Sequence, residues 1–332
     1  MENPPNSTRT ILVCGALGNQ GSAVVTRLLE KGWKVRALTR RPESDAALAL
    51  VNRGVELAMG DLEDPESLDA ALKGAYGVFS VQDGSVGAER EVLQGKNMAD
   101  AAKRSGIEHF VYSSVAGADR NTGIIIWESK WKVENHIRKL GLRATIFRPV
   151  SFFENYYLNV FHLGILMGWL TSAVKKNRPY QLIATWDIGG FVQLAFERPQ
   201  EFIGMELEIA GSAQTNLENA ATFSRVTKRK VRFIQLPMWI AYLAMGKDIR
   251  NSFRWINTSG YKADIPELRR RYPELQLKTL EQWLYDEGWD KHARRVKVHK
   301  DSGSSKGQKN KGPEAPVKRE LRMDSNMAGE LN

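Results

Sequence analysis

Three glycines between an apolar run and a helical pattern constrain the fold of this chain more than any other feature of its sequence. The run Thr10-Ile-Leu-Val-Cys14 predicts a strand, and the apolar spacing over residues 22–31 predicts a helix. Between them lies the GxxGxxG loop Gly15-Ala-Leu-Gly18-Asn-Gln-Gly21. A strand, a glycine turn and a helix in this order are typical of a loop that holds a pyrophosphate against a helix N-terminus. An ordinary turn between a strand and a helix is the alternative.

Strand and helix patterns continue to alternate through the first half of the chain. Further apolar runs predict strands at 33–38, 55–59, 78–81, 107–113 and 144–148. Helical patterns fall between them at 64–72, 88–105 and 127–140. Asp64, directly before Pro65, is a candidate N-cap, and Gly32 is a candidate C-cap of the first helix. Alternation at this pitch favours right-handed βαβ units around a parallel sheet. We therefore expect an α/β fold, namely a doubly wound parallel-sheet Rossmann fold with a smaller C-terminal α+β lobe.

The end of the second predicted strand indicates which dinucleotide the glycine loop binds. An NAD-binding chain carries a carboxylate about 20 residues beyond the glycines, where it holds the ribose 2′-hydroxyl. Here that place is occupied by Thr39, Arg40 and Arg41. A guanidinium binds phosphate through paired hydrogen bonds, so this turn suits the 2′-phosphate of NADP(H). A solvated basic turn is the alternative.

Other side chains follow the third and fourth predicted strands. Asp61 is placed to accept a hydrogen bond from the adenine amino group, and Leu62 to pack on the adenine ring. Ser80, Val81 and Gln82 end the fourth strand at the expected switch in strand order, where the nicotinamide ribose would pass. An alternative of equal weight is that Ser80 and Gln82 are plain strand-end residues.

Candidate catalytic residues follow the fifth strand. In hydride-transfer enzymes of the short-chain type, a serine at this place holds the substrate carbonyl, and a YxxxK pair lies on the next helix. Ser113 or Ser114 fits the serine, and Lys130 fits the lysine. Four residues before the lysine stands Ile126 instead of a tyrosine, so the usual proton donor is missing. Lys130 is expected to bond the ribose or to act as an acid/base if its pKa is lowered, and a solvated helix lysine is the alternative.

Taken together, these motifs resemble the NmrA-like family, an atypical branch of the short-chain dehydrogenase/reductases, over about residues 9–289. The resemblance implies NADP(H) binding, with the pyrophosphate held by Gly15, Ala16, Leu17, Gly18, Asn19 and Gln20, before the helix glycine Gly21. It also implies that Arg40 holds the 2′-phosphate and Lys130 the ribose. The segment lining the nicotinamide end would be Phe152, Phe153, Glu154 and Asn155.

The resemblance leaves two functions open. Some members of the family look like reductases of small-molecule metabolism, and others like redox sensors or transcriptional co-regulators that bind NADP(H) without the tyrosine. We expect an NADP(H)-dependent oxidoreductase of secondary metabolism that reduces a bulky hydrophobic carbonyl or enone, since residues 152–169 and Trp186 are apolar and aromatic. A non-enzymatic NADPH/NADP sensor with a regulatory protein partner is the alternative. A homodimer is compatible with either function.

Three regions follow from these assignments. Residues 1–150 are expected to form the NADP-binding Rossmann domain. Residues 151–289 would form a C-terminal lobe for a substrate or partner, which returns in part to the Rossmann domain. Helical patterns at 219–226, 238–245 and 280–288 lie in this lobe, while 179–216 mixes apolar runs with turns. Residues 290–332 are expected to be a disordered basic tail, because they lack apolar anchors.

Composition and charge narrow the function classes further. Hydrophobic residues make up 42% of the chain, which excludes wholesale disorder. Residues 291–332 carry a net charge of +6 out of +10 for the whole chain, so nucleic-acid contact is expected only as weak contacts of the tail. Neither a metal-ligand spacing nor a run of roughly 18 apolar residues is present, and we expect no metal and no membrane association. The expected location is the cytoplasm, with the nucleus as a second compartment.

Overall fold

A computed structural model describes residues 6–291. Its strands are β1 (Thr10–Val13), β2 (Lys34–Thr39), β3 (Glu56–Met59), β4 (Gly77–Ser80), β5 (His109–Ser113), β6 (Ala144–Pro149), β7 (Ser151–Phe152), β8 (Trp169–Ser172), β9 (Tyr180–Ile183), β10 (Glu206–Ile209), β11 (Ser212–Gln214) and β12 (Arg232–Gln235). Its helices are α1 (Asn19–Glu30), α2 (Asp45–Val51), α3 (Pro65–Leu72), α4 (Ala88–Arg104), α5 (Ile125–Lys139), α6 (Asn159–Leu166), α7 (Thr185–Glu197), α8 (Pro199–Phe202), α9 (Asn216–Thr227), α10 (Met238–Thr258), α11 (Ile265–Arg271) and α12 (Leu280–Asp286). The predicted tail lies outside the described residues from residue 292 onward.

Seven parallel strands form the main sheet, in the order β10-β6-β5-β4-β1-β2-β3. The strand order reverses between β1 and β4, and this reversal is the topological switch point of a doubly wound fold. Two small sheets, β11-β9-β7 and β12-β8, belong to the C-terminal lobe together with the later helices. The predicted α/β class, the parallel doubly wound sheet and the smaller lobe are therefore confirmed.

Each face of the main sheet buries its own apolar layer. Val13 of β1 packs on one face with Leu28 of α1 and Phe191 of α7. Its neighbour Leu12 faces the other way, into a layer that contains Met98 of α4. All five side chains are fully buried. Because successive residues of a strand point to opposite faces, β1 supports both helical layers at once.

Several local sequence signals act where they were expected. The carboxylate of Asp64 caps α3 by accepting hydrogen bonds from the backbone N–H groups of Glu66 and Ser67, and Pro65 begins the helix. Gly32 follows the end of α1 with a φ of +74°, a conformation that glycine adopts without strain. These signals act over a few residues, so the sequence alone was enough to locate them.

Helix α7 was not predicted, because residues 179–216 mixed apolar runs with turns. From Thr185 to Phe196 the helix is buried except for a half-buried Trp186, so its sequence shows no polar face and no helical period. Gly189 lets α7 cross α1 closely, since a Cβ there would lie 2.8 Å from the backbone carbonyl of Ala23. The second half of the chain thus supplies both α7 and strand β10 to the sheet domain, while the boundaries proposed at residues 150 and 289 stay predictions.

Helix α10 is longer than the pattern at 238–245 predicted. It continues to Thr258 across an interruption at Gly246, whose φ is +79°. The charged residues that follow the glycine had hidden this continuation. Among residues 6–291, none of the helices combines the length and the apolar content that crossing a membrane requires.

The buried carboxyl of Asp187 in α7 generates a prediction about pH and stability. Burial raises its pKa to about 7, against only partial relief from Lys278 and Arg27. A raised pKa in the folded state means that the contribution to stability is present below the unfolded pKa near 4 and is lost as the pH rises through 7. We expect the free energy of unfolding of Asp187→Asn to rise relative to that of the wild type by up to about 4 kcal/mol between pH 4 and pH 8. Urea unfolding at each pH measures this difference. A stability difference that stays constant over this range would contradict the expectation.

Candidate active site

The glycine loop joins β1 to α1 with its backbone tightly folded. Gly15 has a φ of +61°, and its carbonyl oxygen accepts a 2.8 Å hydrogen bond from the N–H of Gly18. A Cβ at Gly21 would overlap the carbonyl group of Gly15 and lie 2.8 Å from the amide nitrogen of Ala16. Gly18 is the N-cap of α1 and makes no side-chain cap. The first N–H groups of α1 are therefore left for an anion.

Predicted site residues from four elements meet at the carboxyl edge of the sheet. A Cβ at Gly15 would lie 3.2 Å from a methyl group of Val81, so the glycine loop lies against the end of β4. The hydroxyl of Ser113, at the end of β5, donates a 2.6 Å hydrogen bond to the side-chain oxygen of Gln20. The Lys130 ammonium of α5 reaches the carbonyl oxygen of Gln82 at 3.4 Å. The structure thus brings the predicted phosphate and ribose residues together.

The predicted adenine end lies beside the turn that follows β2. Arg40 and Arg41 are both exposed, and the Thr39 hydroxyl accepts a hydrogen bond from the backbone N–H of Arg41. Strands β2 and β3 are paired, and the N–H of Gly60 donates to the carbonyl of Thr39 at 3.0 Å. The Asp61 loop is therefore adjacent to the basic turn, as a 2′-phosphate next to an adenine requires.

Helix α4 holds the Asp61 loop from outside. Asn97 donates to the carbonyl oxygen of Leu62 at 3.0 Å. Gln94 and Arg90 both donate to the carboxylate of Glu63, and these hydrogen bonds lower the pKa of that carboxyl. The Asp61 carboxylate itself accepts from the backbone N–H of Glu63 at 3.0 Å. The loop is therefore fixed by side chains that the sequence had not singled out.

Lys130 is largely buried and forms an ion pair. Its Nζ lies 2.6 Å from Oε1 of Glu91, a carboxylate with no exposed surface on α4. The hydroxyl of Ser129 donates to the other oxygen of the same carboxylate. Beside this pair, the amide of Gln82 donates a 2.9 Å hydrogen bond to the Ser80 hydroxyl. The alternative of a solvated helix lysine does not fit this placement, and Glu91 is a site residue that the sequence analysis missed.

A signal for Glu91 was present in the sequence. Residues 91, 95, 98 and 102 of α4 are all buried and lie on one helical face. Glu91 is the one charged residue among these four, and the others are apolar or small. A charged side chain on a core-facing helical face is expected only where a partner compensates the buried charge. The partner, Lys130, lies on another helix, so this helical face alone did not identify it.

The two serines after Tyr112 have different partners. Ser113 faces the glycine loop, whereas the hydroxyl of Ser114 donates to Glu134 at 2.6 Å. Glu134 is also bound by the guanidinium of the buried Arg148 at 2.7 Å. Ser114 therefore belongs to the buried hydrogen-bond network of Glu134 and Arg148. Ser113 is the serine that the structure leaves at the site.

Tyr112 does not replace the missing tyrosine of the YxxxK pair. Its hydroxyl is fully buried and makes no hydrogen bond within the described part of the chain. Burial raises the pKa of this phenol well above its ordinary value, and the negative charges of Glu91 and Glu134 add to the effect. A phenol with a raised pKa keeps its proton at neutral pH. Ile126, at the position of the usual donor, offers no proton either.

The predicted nicotinamide segment is divided between two side chains inside the lobe and two that are at least partly exposed. Phe152 in β7 is half-buried and Asn155 is exposed. Phe153 is fully buried against Trp283, at 5.5 Å between ring centroids. Glu154 accepts hydrogen bonds from the N–H and hydroxyl of Thr185 and from Trp283, and burial raises its pKa. Two of the four predicted side chains therefore support the interior of the lobe.

The apolar wall expected from residues 152–169 and Trp186 is also divided. Trp186 packs under the guanidinium of Arg27 at 4.0 Å, on the last turn of α1, away from the glycine loop at the other end of that helix. Met167 and Trp169 are exposed, and Tyr156 lies in the core of the lobe. The physical reason is that the apolar residues are needed to bury the lobe's own helices.

Trp127, one turn before Lys130, belongs to a group of aromatic residues that the sequence analysis did not identify. Trp127 of α5 meets Trp255 of α10 at 4.8 Å and Tyr261 at 6.0 Å between ring centroids. Trp255 and Tyr261 are themselves 5.6 Å apart, and the Tyr261 hydroxyl is 3.0 Å from the Ser151 hydroxyl. We call Trp127, Trp255 and Tyr261 the aromatic cluster. It is assembled from residues far apart in the chain.

Comparisons with known proteins agree with this architecture. The family model of the NmrA-like family matches residues 7–284. The oxidoreductase FrzB of a Cladobotryum species is 30% identical over 304 residues, covering 82% of this chain and 90% of that protein. The oxidoreductase hkm9 of Aspergillus hancockii is 31% identical over 303 residues with the same coverage. Both carry an NmrA-like family domain in their names.

Solved structures share the fold at lower identity. The triphenylmethane reductase of Citrobacter sp., complexed with NADP(H), aligns with a TM-score of 0.72 at 18% identity, over 86% of this chain and 99% of that one. NmrA, a negative transcriptional regulator in complex with NADP, aligns with a TM-score of 0.70 at 21% identity, over 89% of this chain and 98% of that one. These likenesses concern the fold.

The tight glycine loop leads to a test by substitution. We expect Gly21→Ala to lower the free energy of unfolding by about 3 kcal/mol, because its Cβ meets backbone atoms that cannot move aside without displacing α1. Gly84→Ala is the matched control, since a Cβ there meets only the Glu91 carboxylate at an ordinary 3.8 Å. That control is expected to stay within about 1 kcal/mol of the wild type in urea unfolding. Equal losses in both variants would refute this account of the loop.

Proposed function

The chain belongs to the NmrA-like family, and we propose that it is an NADP(H)-dependent oxidoreductase that reduces a bulky hydrophobic carbonyl or enone. One observation carries the proposal: the largely buried, charge-paired Lys130 lies at the same sheet edge as the glycine loop and Ser113. The relatives FrzB and hkm9 are named oxidoreductases, which supports the same reaction class.

The residues present fit a dinucleotide with a 2′-phosphate. A Cβ at Gly21 would overlap the backbone of Gly15, so the glycine loop lies directly against α1, and the uncapped start of α1 would direct N–H groups to a pyrophosphate. Arg40 and Arg41 are exposed beside the Asp61 loop and would bind the 2′-phosphate through guanidinium forks. The absence of a carboxylate among residues 39–41 favours NADP(H) over NAD(H).

Within this proposal the chain's own residues bind and orient. NADPH supplies the hydride when it is bound. Lys130 would donate hydrogen bonds to the ribose next to the nicotinamide, since its ammonium lies at the end of β4. Ser113 would rotate its hydroxyl from Gln20 to the substrate oxygen. A hydrogen bond there would stabilise the negative charge that develops on this oxygen during reduction.

The aromatic cluster supports the substrate class. Trp127 lies on the same helix as Lys130 and one turn away, and its buried ring packs against Trp255 and Tyr261 of the lobe. Aromatic residues grouped around the helix that carries Lys130 are compatible with a large apolar substrate. The triphenylmethane reductase, which shares the fold, is named for a bulky aromatic substrate.

A non-enzymatic sensor is the second candidate, and Ile126 favours it. A branched apolar side chain at the position of the usual proton donor removes the group that short-chain enzymes use. NmrA, which has the same fold, is described as a negative transcriptional regulator in complex with NADP. A protein partner would then read whether NADPH is bound.

The test is calorimetric titration of NADPH, NADP and NADH, followed by NADPH oxidation with a panel of aromatic ketones and enones. Tight NADP(H) binding with turnover supports the reductase. Tight binding with no turnover across the panel favours the sensor. Failure of all three dinucleotides to bind would overturn both functions.

Cofactor choice is predicted to depend on Arg40. We expect Arg40→Ala to weaken NADPH binding by roughly tenfold to a hundredfold, because one charge-assisted phosphate contact is lost, and to leave NADH binding unchanged. Arg104→Ala is the control, since Arg104 forms an exposed ion pair with Asp69 at the far end of α4. Isothermal calorimetry measures each dissociation constant. An equal loss for NADPH and NADH would show that Arg40 does not contact the 2′-phosphate.

Turnover is predicted to depend on Lys130. With the substrate that the panel identifies, we expect Lys130→Met to lower kcat/KM by roughly 100-fold, because the ammonium no longer orients the ribose or assists proton transfer. Lys132→Met is the control, since Lys132 is exposed two residues further along α5. Steady-state NADPH oxidation measures both variants. Unchanged turnover in Lys130→Met would remove its catalytic role.

A further inference from the structure

Glu91 is a buried carboxylate at the candidate site, and it forms an ion pair with Lys130. It has no exposed surface, and its two oxygens are taken by neighbouring residues of α5: the Lys130 ammonium at 2.6 Å and the Ser129 hydroxyl. Gly84, in the loop between β4 and α4, lies close to the same carboxylate, since a Cβ added at Gly84 would be 3.8 Å from Oε1 of Glu91. The carboxylate therefore lies beneath the loop that leads away from the predicted ribose site.

A buried ion pair is a costly way to join two helices. Apolar residues of similar volume often give equal or greater stability at such places, whereas removing one partner leaves an unpaired buried charge. Here the two helices already pack closely, since a Cβ at Gly95 of α4 would lie 2.6 Å from a methyl group of Val133 of α5. Packing thus holds the helices together, and the ion pair must be explained by what it does to Lys130.

We propose that Glu91 is the positioning residue for Lys130, fixing its ammonium at the end of β4; this rests on the proposed function. An ammonium has three N–H donors. The ammonium of Lys130 forms an ion pair with Oε1 of Glu91 at 2.6 Å and donates a hydrogen bond to the carbonyl oxygen of Gln82 at 3.4 Å. This leaves donor capacity for a ribose hydroxyl. Lys130 then acts as a hydrogen-bond donor to the ribose.

The test compares two ligands that differ in whether they reach Lys130. NADPH spans the whole site, whereas adenosine 2′,5′-diphosphate carries only the adenine end. We expect Glu91→Ala to weaken NADPH binding about tenfold, as expected for the loss of a positioned charged donor, while adenosine 2′,5′-diphosphate binds as to the wild type. Glu91→Gln keeps an acceptor oxygen and should recover part of the loss. The fluorescence of the bound nicotinamide should fall in the same order, since its ribose is less firmly held.

A double-variant cycle separates positioning from folding. If Glu91 acts through Lys130, adding Glu91→Met to Lys130→Met should weaken NADPH binding no further than Lys130→Met alone. This double variant removes both buried charges, so it is expected to fold even where Glu91→Ala does not. Asp187→Asn, which also alters a fully buried carboxyl but far from the site, should leave both affinities unchanged.

Each result bears on a distinct claim. Equal weakening of both ligands in Glu91→Ala and Glu91→Gln would mean that Glu91 supports the fold and would overturn the inference. NADPH affinity that stays at the wild-type value in these variants would overturn it too, while leaving the proposed function intact. Failure of the wild-type protein to bind NADPH would overturn the proposed function and this inference together.

Discussion

The close approach of two backbone segments at Gly15 and Gly21 is the constraint on which the rest of the structure depends. Because neither side chain intervenes, α1 starts directly against the turn that ends β1. A second glycine contact lies between the two helices, where Gly189 of α7 packs directly on the backbone of α1 at Ala23. Strand, helix and second helix are thus stacked at glycine contacts. The uncapped N-terminus of α1 is exposed at the sheet edge as a direct result.

Helix α4 links the two ends of the candidate site. One side of it holds the Asp61 loop through Arg90, Gln94 and Asn97. The adjacent side presents Glu91 to Lys130. A single rigid helix therefore sets the distance between the proposed adenine and nicotinamide positions. A site whose two ends are held by one rigid helix is preorganised for a long cofactor, because the protein loses less conformational entropy when the cofactor binds.

Sequence signals predicted the parts of the molecule that depend on near neighbours. The glycine loop, the cap at Asp64 and the strand–helix alternation are local, and they gave the doubly wound sheet and the convergence of Gln20, Ser113 and Lys130 at one edge. Helix α7 was missed because a helix buried on all sides has no polar face to mark its period. The aromatic cluster and the partner of Lys130 were missed because they join elements distant in the chain, and a pattern along one helix does not name its neighbour on another.

The reductase and the sensor share the dinucleotide half of the site and differ beyond Lys130. A sensor needs a firmly held cofactor and a surface that a partner reads. A reductase also needs a place for a second small molecule beside the nicotinamide. In the aromatic cluster, Trp127 lies one turn from Lys130 on α5 and contacts two residues of the lobe, of which Tyr261 is hydrogen-bonded to Ser151 of β7. The paired Lys130 and the Ser113 hydroxyl at one sheet edge are the groups that a reductase needs to orient a ribose and a substrate oxygen, and this is why the reductase is the stronger of the two proposals.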